Sequence, residues 1–354
     1  MANTPEFIQT TVISTRIRLA RNFAGFPFPS KMSDAHASDI VQLVAEGLKR
    51  LDPYEYKRYD IAKLSDSEAQ LLQEQYLISP ALLKRLNGGA AFVSSDRAVS
   101  IMVNEEDHLR EQYIVKGFDL YKAYERLSAL DDGLSSIFDF AFDEKLGYLT
   151  ACPSNLGTGM RASVMMLLPG LARNGELKAI VSELKSNGMT IRGAFGEGTS
   201  AEGYLYQVSN ERTLGLSEQE ILEKVSGTTM RLCNRELLAR EELLRTSETE
   251  TRDRCLRAYG TLSNCAILSL QEFLSKIADV KLGVLFGFLK ADNQKKFDEF
   301  LDDMRPAAFR LNNNLEGESE RFCDEVRAET VGNVLPKLVY VTGRGSEKSE
   351  KRKK

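Results

Sequence analysis

The segment from Ala90 to Val103 constrains the fold of this chain more than any other. It holds two runs rich in apolar and β-branched residues, AAFVSS and AVSIMVN, separated by a polar turn at Asp96-Arg97. Two such runs joined by a tight turn predict a β-hairpin. The chain therefore contains antiparallel β-structure, and the remaining elements have to be placed around it.

Helical and strand patterns occur on both sides of this hairpin. Apolar residues recur at helical spacing in 33–52, where a Ser33/Asp34 start signal precedes them. The other predicted helices cover 67–77, the stretch from the acidic residues after Asn104 toward Ala129, the apolar run 161–171, the charged run 217–247, and much of 253–345. The other predicted strands cover 146–152, 189–195 and 203–209.

This order of elements predicts an α+β fold. We expect a larger domain at 11–247, with an antiparallel-rich sheet flanked by helices, and a smaller helical domain at 253–345. The polar SETETRD stretch at 247–253 marks the break between them. The tail 346–354, SEKSEKRKK, is predicted to be disordered and basic.

Composition excludes several classes of function. The net charge is -4 and the isoelectric point is about 5.6, which argues against nucleic acid or an anionic membrane as partner. No run of 18 apolar residues and no signal peptide are visible, so we expect a cytoplasmic protein. The five cysteines lack CxxC spacing and there are two histidines, which disfavours disulfides and a metal site in the protein.

Two segments carry closely spaced charges. In an extended Ser14–Arg18 segment, Arg16 and Arg18 point to the same side, where two guanidinium forks suit a polyanion. A solvated basic edge strand is the alternative. The acids Glu105–Asp107 could form a carboxylate cluster that grips a cation, or could simply favour a helix N-terminus.

Two further segments are rich in glycine. Cys152–Arg161, CPSNLGTGMR, is predicted as a loop between a strand and a helix, which would make an anion site, although a lone cysteine is more often inert filler. In the segment 192–203, Arg192 ends a strand and Glu197 lies in a turn between glycines. That turn is either a mobile closing loop or a plain connection.

These segments resemble the signatures of the phosphagen (guanidino) kinases. The chain contains STRIRLARN, NEEDHLR, LGYLTACPSNLGTGMRASV and IRGAFGEGTSAEG in that order. They are most similar to the bacterial protein arginine kinase branch, with SxRIRLARN, INEEDH and CPTNxGTGxRASVM, over about residues 11–245. The resemblance implies a glutamine synthetase-like catalytic fold, ATP as phosphate donor and Mg²⁺ held mainly by its phosphates.

The same resemblance assigns site residues. Glu106 and Glu197 would bind and orient the acceptor guanidinium, with Asp107 nearby and Cys152 against it. Arg16, Arg18, Arg110, Arg161 and Arg192 would hold the phosphates. The nucleotide-binding segments comprise Ser14, Thr15, Arg16, Ile17, Arg18, Tyr76, Arg110, Arg161, Ala162, Ser163, Val164, Met165, Arg192, Gly193, Ala194, Phe195 and Gly196.

Three positions depart from the bacterial pattern. Tyr76 replaces a histidine in QYLIS, where it can still stack on adenine, and Leu167 replaces a histidine before Pro169. The nearest match to the phosphoarginine-sensing motif RDxxRA begins with Cys323 and keeps Asp324 and Arg327. The missing leading arginine argues against phosphoarginine sensing.

The leading hypothesis is a protein arginine kinase that marks proteins for a Clp-type chaperone, with a small activator protein and a homodimer as further expectations. Animal phosphagen kinases carry a helical domain before the SxRxR segment, whereas Ser14 lies near the start of this chain, so we expect an arginine within a protein as substrate. A free-arginine kinase and a catalytically weak phosphoarginine- or client-binding adaptor are the alternatives.

Overall fold

The computed structural model describes residues 5–193 and 202–342. The strands are β1 (Val12–Arg21), β2 (Tyr56–Asp60), β3 (Ala90–Ser94), β4 (Val99–Val103), β5 (Leu109–Lys116), β6 (Phe142–Asp143), β7 (Gly147–Tyr148), β8 (Met160–Leu167), β9 (Met189–Gly193), β10 (Leu205–Asn210), β11 (Leu289–Ala291) and β12 (Val339–Val341). The helices are α1 (Glu6–Gln9), α2 (Asp34–Leu51), α3 (Asp66–Glu74), α4 (Leu120–Ser135), α5 (Pro169–Arg173), α6 (Leu177–Ser186), α7 (Glu218–Asn264), α8 (Leu270–Leu285), α9 (Gln294–Asp303), α10 (Pro306–Asn312) and α11 (Glu320–Leu338).

An eight-stranded sheet organises the described chain, with strand order β2-β3-β4-β5-β1-β8-β10-β9. β1 lies near the middle and pairs antiparallel with both β5 and β8. The hairpin predicted at Ala90–Val103 is formed by β3 and β4. The predicted α+β class with an antiparallel sheet is confirmed.

The two faces of the sheet bury different apolar clusters. On one face, Ile101 and Val103 of β4 pack beneath α2 and α4. α2 forms there because its apolar residues recur every three or four positions and the Ser33 side chain caps its first turn. Met102 points to the other face, since strand neighbours alternate, and packs beneath residues 61–84. Arg110 lies opposite Met102 in the register, so it shares this second face.

The helix predicted from the acids after Asn104 toward Ala129 is wrong in its first half. Residues 109–116 form β5, and α4 begins at Leu120 behind an Asp119 cap. The acids lie in a turn instead of a helix start: Asn104 has a φ of 63°, and its side-chain amide donates to backbone carbonyls. Such left-handed geometry ends a strand and does not begin a helix.

The apolar helix predicted at 161–171 is also wrong. Met160–Leu167 is the strand β8, and the short helix α5 starts only at Pro169. β8 is paired on one side with β1 and neighbours β10 on the other. Burial mostly alternates along β8, but Met165 and Leu167 make its second half apolar on both faces, and such an apolar run resembles a buried helix. The Cys152–Arg161 loop therefore does not end at a helix N-terminus, and the strand predicted at 146–152 is reduced to β7.

The described chain divides into two compact units. The first comprises described parts of Met1–Leu167, Glu176–Thr199 and Tyr206–Arg235, and the second those of Leu168–Gly175, Ser200–Leu205 and Glu236–Lys354. α7 departs from helical geometry at Ser247, with φ −144° and ψ 36°. The domain limits 11–247 and 253–345 stay a prediction.

The second unit is mainly helical, as predicted. Helices α8 to α11 enclose buried aromatic rings, among them Phe273, Phe297 and Phe309. β11 and β12 form a separate two-stranded sheet. The tail 346–354 lies outside the described residues. Across 5–193 and 202–342, no helix is both long and apolar enough to cross a membrane.

Candidate active site

Four arginines share one face of three neighbouring strands. Arg16 and Arg18 are two residues apart in β1, so both point to the same side. Arg161 of β8 lies directly opposite Arg18. Arg110 of β5 lies opposite Ala20, which is two residues beyond Arg18 and thus on the same side. We call this surface the arginine face.

Arg192 of β9 extends the arginine face. It lies opposite Gln207 of β10, and the Gln207 side-chain oxygen accepts a hydrogen bond of 3.0 Å from Arg16 Nη2. Burial lowers the pKa of Arg161, and the charge of Arg192 lowers it further. The structure thus brings together all five arginines that the sequence resemblance assigns to phosphate binding.

The arginine face carries an excess of positive charge. Burial, and then the charge of Arg110, lowers the pKa of Arg16 to about 10. Burial lowers the pKa of Arg18 well below the usual arginine range, and neighbouring guanidinium groups add to that effect. Arg18 Nε is buried and has no hydrogen-bond acceptor among the described residues. Buried guanidinium groups with free donors fit phosphate oxygens, so the residues present suit a bound polyphosphate such as ATP.

Arg110 is held in place by Glu105, an acid to which the family resemblance assigns no role. Its Nη1 lies 2.8 and 2.6 Å from the two carboxylate oxygens of Glu105. The Glu105 side chain is 3% exposed and also accepts a hydrogen bond from the Ser79 hydroxyl. In the sequence, Glu105 is visible only as one of three consecutive acids. The strand register and the burial of its side chain show that it pairs with Arg110.

Glu106 is the exposed acid of that run and lies beside Cys152. Burial raises the pKa of Glu106, and the charges of Asp107 and Glu105 raise it further, while a hydrogen bond with the Cys152 side chain opposes the shift. The Cys152 sulfur is a free thiol 3.0 Å from the Ser154 hydroxyl. An accessible carboxylate with a raised pKa is suited to accept a proton.

Asp107 is buried and faces the protein interior. Its Oδ1 accepts hydrogen bonds of 2.7 Å from Asn22 Nδ2 and 2.6 Å from the Ala151 backbone N–H. Burial raises the pKa of Asp107, against the effect of these two donors. The carboxylate thereby fixes the backbone next to Cys152, so its predicted role near the guanidinium would be one of positioning.

Asn22 joins three parts of the site and was missed from sequence. Besides Asp107, its Nδ2 donates to the Leu149 carbonyl at 2.9 Å, and its Oδ1 accepts from the His108 N–H at 2.8 Å. The end of β1 is thus tied to the acidic turn and to the segment that leads to Cys152. In the sequence, Asn22 stands out only as the last residue of the STRIRLARN signature.

Arg21 fixes the glycine-rich loop in a similar way. Its guanidinium pairs with Asp131 at 2.7 Å, donates to the Thr158 carbonyl at 3.0 Å and lies 3.6 Å from the centre of the Tyr148 ring. Gly159 has a φ of 65°, and a Cβ there would lie 2.6 Å from Arg21 Nη1. Only glycine fits this approach, which sets the path of the loop into β8.

Replacing Asn22 with alanine is expected to weaken both the fold and catalysis. Each buried group that loses its partner costs about 1–3 kcal/mol of unfolding free energy. Misplacement of the acidic turn relative to Cys152 should lower kcat on the order of tenfold to a hundredfold. The ATP affinity should change little, because the arginine face does not use Asn22. Denaturant unfolding, kcat and nucleotide binding measure the three effects.

The matched control is Asn313→Ala in the second unit, where the side chain donates to the Phe309 carbonyl at 2.8 Å. This control should lose stability without the selective loss of kcat. Equal kcat in the two variants would contradict a positioning role for Asn22.

The remaining predicted nucleotide-binding residues are distributed over both sheet faces. Tyr76, with a φ of 59°, has its carbonyl bonded to the Gln112 side chain, and its ring interacts electrostatically with Arg16. Gly193 ends β9 and is buried. In the β1–β8 register, Ser14, Ser163 and Met165 lie on the arginine face, whereas Thr15, Ile17, Ala162 and Val164 point to the opposite face. Ala194, Phe195, Gly196 and Glu197 lie outside the described residues.

Two family descriptions match the chain. Residues 39–239 match "ATP:guanido phosphotransferase, C-terminal catalytic domain" and residues 248–345 match "Protein-arginine kinase McsB C-terminal domain". Among curated proteins, the chain is similar to the protein-arginine kinase of Caldanaerobacter subterraneus, with 40% identity over 85% of this chain and 90% of that protein. The protein-arginine kinase of Moorella thermoacetica is 43% identical over 84% of this chain and 86% of its own length.

Two solved kinase structures are also similar to this chain. A lombricine kinase aligns with 25% identity and a TM-score of 0.58, over 65% of this chain and 67% of that one. A duplicated taurocyamine kinase from Schistosoma mansoni, bound to components of a transition-state analogue, aligns with 26% identity and a TM-score of 0.63. The alignment covers 77% of this chain and 40% of the duplicated one.

Proposed function

The chain belongs to the ATP:guanido phosphotransferase family, and from this premise we propose that it transfers the γ-phosphate of ATP to arginine guanidinium groups of proteins. One observation carries the proposal. A face of five arginines lies next to an exposed glutamate in contact with a thiol. The first group suits a polyphosphate, and the second suits a cationic acceptor that has to lose a proton.

The arginine face would align the triphosphate and stabilise the transferred group. Phosphoryl transfer needs little covalent help from the enzyme, so alignment and charge stabilisation supply most of the rate. Arg18 and Arg161 face each other across the β1–β8 pair, which fixes two guanidinium forks side by side. Glu105 restrains Arg110 through both carboxylate oxygens. Such fixed donors need no reorganisation when charge develops.

Glu106 would activate the acceptor. An arginine guanidinium is almost always protonated, so its nitrogen is a poor nucleophile until a proton leaves. The nitrogen attacks the γ-phosphorus, the bond to ADP breaks, and the nitrogen's proton passes to the Glu106 carboxylate. The Cys152 thiol lies within hydrogen-bonding reach of that carboxylate and would help orient the guanidinium. Glu197 is proposed as the second carboxylate from the family pattern alone.

Mg²⁺ is proposed to accompany ATP and to offset charge on its phosphates. Within residues 5–193 and 202–342, no group of three or more His, Cys, Asp or Glu side chains could hold a metal ion. As the family resemblance implies, the ion would be held mainly by the phosphates of the nucleotide. The chain's own contribution is the arginine face.

The substrate class is the first point to test. The family descriptions and curated relatives support an arginine within a protein. Contacts beyond the guanidinium can be used to align the reacting group, so a polypeptide should have the higher kcat/KM. We expect the ratio of kcat/KM for an arginine-containing polypeptide to that for free arginine to exceed about ten, since contacts worth 1.4 kcal/mol give tenfold.

The measurement uses radiolabelled ATP with casein, free arginine and no acceptor. Acid-labile phosphoarginine should form on casein, with little product from millimolar free arginine. A ratio below one would identify a free-arginine kinase. ATP binding without turnover of either substrate would identify a phosphoarginine- or client-binding adaptor.

The cellular setting is a further part of the proposal. We propose a cytoplasmic enzyme of the stress response that works as a homodimer with a Clp-type chaperone and a small activator protein. Similarity to bacterial protein-arginine kinases supports the reaction that this setting requires. Affinity capture of casein phosphorylated by this enzyme with a Clp chaperone, against unphosphorylated casein, tests the chaperone link.

A further inference from the structure

The guanidinium of Arg161 is oriented by a serine hydroxyl of the neighbouring strand. Its Nε and Nη2 both donate to Ser209 Oγ, at 3.3 and 3.2 Å. Two donors that converge on one acceptor fix the plane of the guanidinium. The third nitrogen, Nη1, has no hydrogen-bond acceptor among the described residues. Ser209 belongs to β10, next to β8 in the sheet, and is 2% exposed, so its hydroxyl is itself enclosed by the protein.

This partner of Arg161 is uncharged. A serine hydroxyl accepts a hydrogen bond without neutralising the guanidinium, whereas a carboxylate such as that of Glu105 brings a negative charge. Gln207 lies two residues before Ser209, on the same side of β10, and holds Arg16 in the same way through its amide oxygen. β10 thus supplies neutral acceptors to two members of the arginine face. Their guanidinium groups are oriented while their positive charge stays available to an anion.

Asn210 fixes the backbone on both sides of Arg161. Its Oδ1 accepts from the Ala162 N–H at 2.8 Å, and its Nδ2 donates to the Met160 carbonyl at 3.0 Å. The same Nδ2 lies 3.2 Å from the Arg212 carbonyl oxygen, so the side chain also secures the residues that follow β10. Asn210 is buried, and so are Met160 and Ala162. The residue that carries the guanidinium therefore has little freedom of its backbone.

We propose that Ser209 and Asn210 are positioning residues that orient Arg161 toward the phosphates of the nucleotide. The proposal rests on the proposed function of the chain. Ser209 sets the direction of the guanidinium, Asn210 sets the place of the Arg161 backbone, and both act through Arg161. Donors that are held in place before the reaction stabilise developing charge without reorganisation. Loss of either contact should therefore lower the rate only as long as Arg161 is present.

A double-mutant cycle on kcat tests this dependence. Ser209→Ala alone should lower kcat for an arginine-containing polypeptide about tenfold to a hundredfold, as a small misplacement in an active site implies. In the Arg161→Ala background the same change should have no further effect, because no guanidinium is left to orient. Asn210→Ala should follow the same pattern, with a lower melting temperature in addition. The KM for the polypeptide should not change, since Arg161 is assigned to the phosphates.

ATP binding is the second readout and does not require turnover. Ser209→Ala should raise the ATP dissociation constant roughly threefold to tenfold, as the loss of one net hydrogen bond implies, and should not raise it further in the Arg161→Ala background. Ser94→Ala is the matched control. Ser94 lies in β3, is also 2% exposed, and its hydroxyl lies 3.2 Å from the Val99 carbonyl oxygen. This control should lower the melting temperature without changing kcat or the ATP affinity.

Three outcomes separate the two proposals. Equal fold-losses from Ser209→Ala in the presence and absence of Arg161 would overturn the positioning role and leave the kinase activity standing. A Ser209→Ala variant with the kcat and the ATP affinity of the unaltered protein would overturn it as well. Absence of turnover in the unaltered protein, with ATP bound, would overturn the proposed function, and the cycle on the ATP dissociation constant would then decide whether Ser209 positions Arg161.

Discussion

Glu106→Gln is expected to lower kcat/KM for an arginine-containing polypeptide by about 10²–10⁴, the usual contribution of a positioned general base. Glutamine keeps the size and a hydrogen-bonding oxygen but cannot accept the proton that the guanidinium must lose. ATP affinity should stay within a few-fold, because the phosphates are assigned to the arginine face. Cys152→Ser should lose less activity, since the thiol is assigned to orienting the guanidinium.

The pH profile gives a second test of the same role. The pKa of Glu106 is raised above that of an ordinary glutamate. A base works only when deprotonated, so kcat/KM should fall as the pH drops through this raised pKa, and the acidic limb should disappear in Glu106→Gln. Glu46→Gln on the exposed side of α2 is the control and should leave rate and profile unchanged. A Cys152→Ser variant more damaged than Glu106→Gln would instead assign proton transfer to the thiol.

Arg161→Ala is expected to lower kcat by about 10²–10³, the loss measured for single charge-stabilising donors. Arg161 faces Arg18 across the strand pair and follows the glycine-rich loop directly. Arg161→Lys should recover only part of the rate, because an ammonium keeps the charge but lacks the planar fork. Arg192→Ala should behave like Arg161→Ala.

The melting temperature distinguishes this loss of activity from a loss of folded protein. Removal of one charge from a cluster of like charges should not lower the melting temperature of the unliganded protein, although activity falls. Arg126→Ala is the control, since Arg126 is half-exposed on α4 and pairs with Glu55 at 3.5 Å. Near-normal turnover in both Arg161→Ala and Arg192→Ala would remove these residues from phosphate binding.

The sequence predicts local features of the sheet but not its register. Alternation in Ser14–Arg18 correctly places Arg16 and Arg18 on one face, and the turn at Asp96-Arg97 correctly marks a hairpin. That Arg161 lies opposite Arg18 depends on how two strands far apart in the chain pair, and no local pattern contains that information. β8 is not recognised as a strand from the sequence, because Met165 and Leu167 make its second half apolar on both faces and hide the period-two pattern.

Positioning residues are the least visible part of the site from sequence. Asn22 and Arg21 act through buried contacts to segments more than 80 positions away. Thr213 secures the Cys152 loop with a single hydroxyl, and nothing in its surroundings along the chain distinguishes it. Motif arguments find the charged groups that meet a substrate, whereas the groups that hold them become apparent only when contacts are known.

The buried, unpaired donor of Arg18 has a consequence for the unliganded protein. Like charges confined to one face work against the folded state, and an anion that binds only the folded state stabilises it by RT ln(1 + [L]/Kd). A nucleotide or inorganic polyphosphate at a hundred times its Kd would add about 2.7 kcal/mol to the unfolding free energy. The folded population of this protein is thereby coupled to the supply of phosphorylated anions around it, and depletion of that supply would make the enzyme itself more prone to unfold.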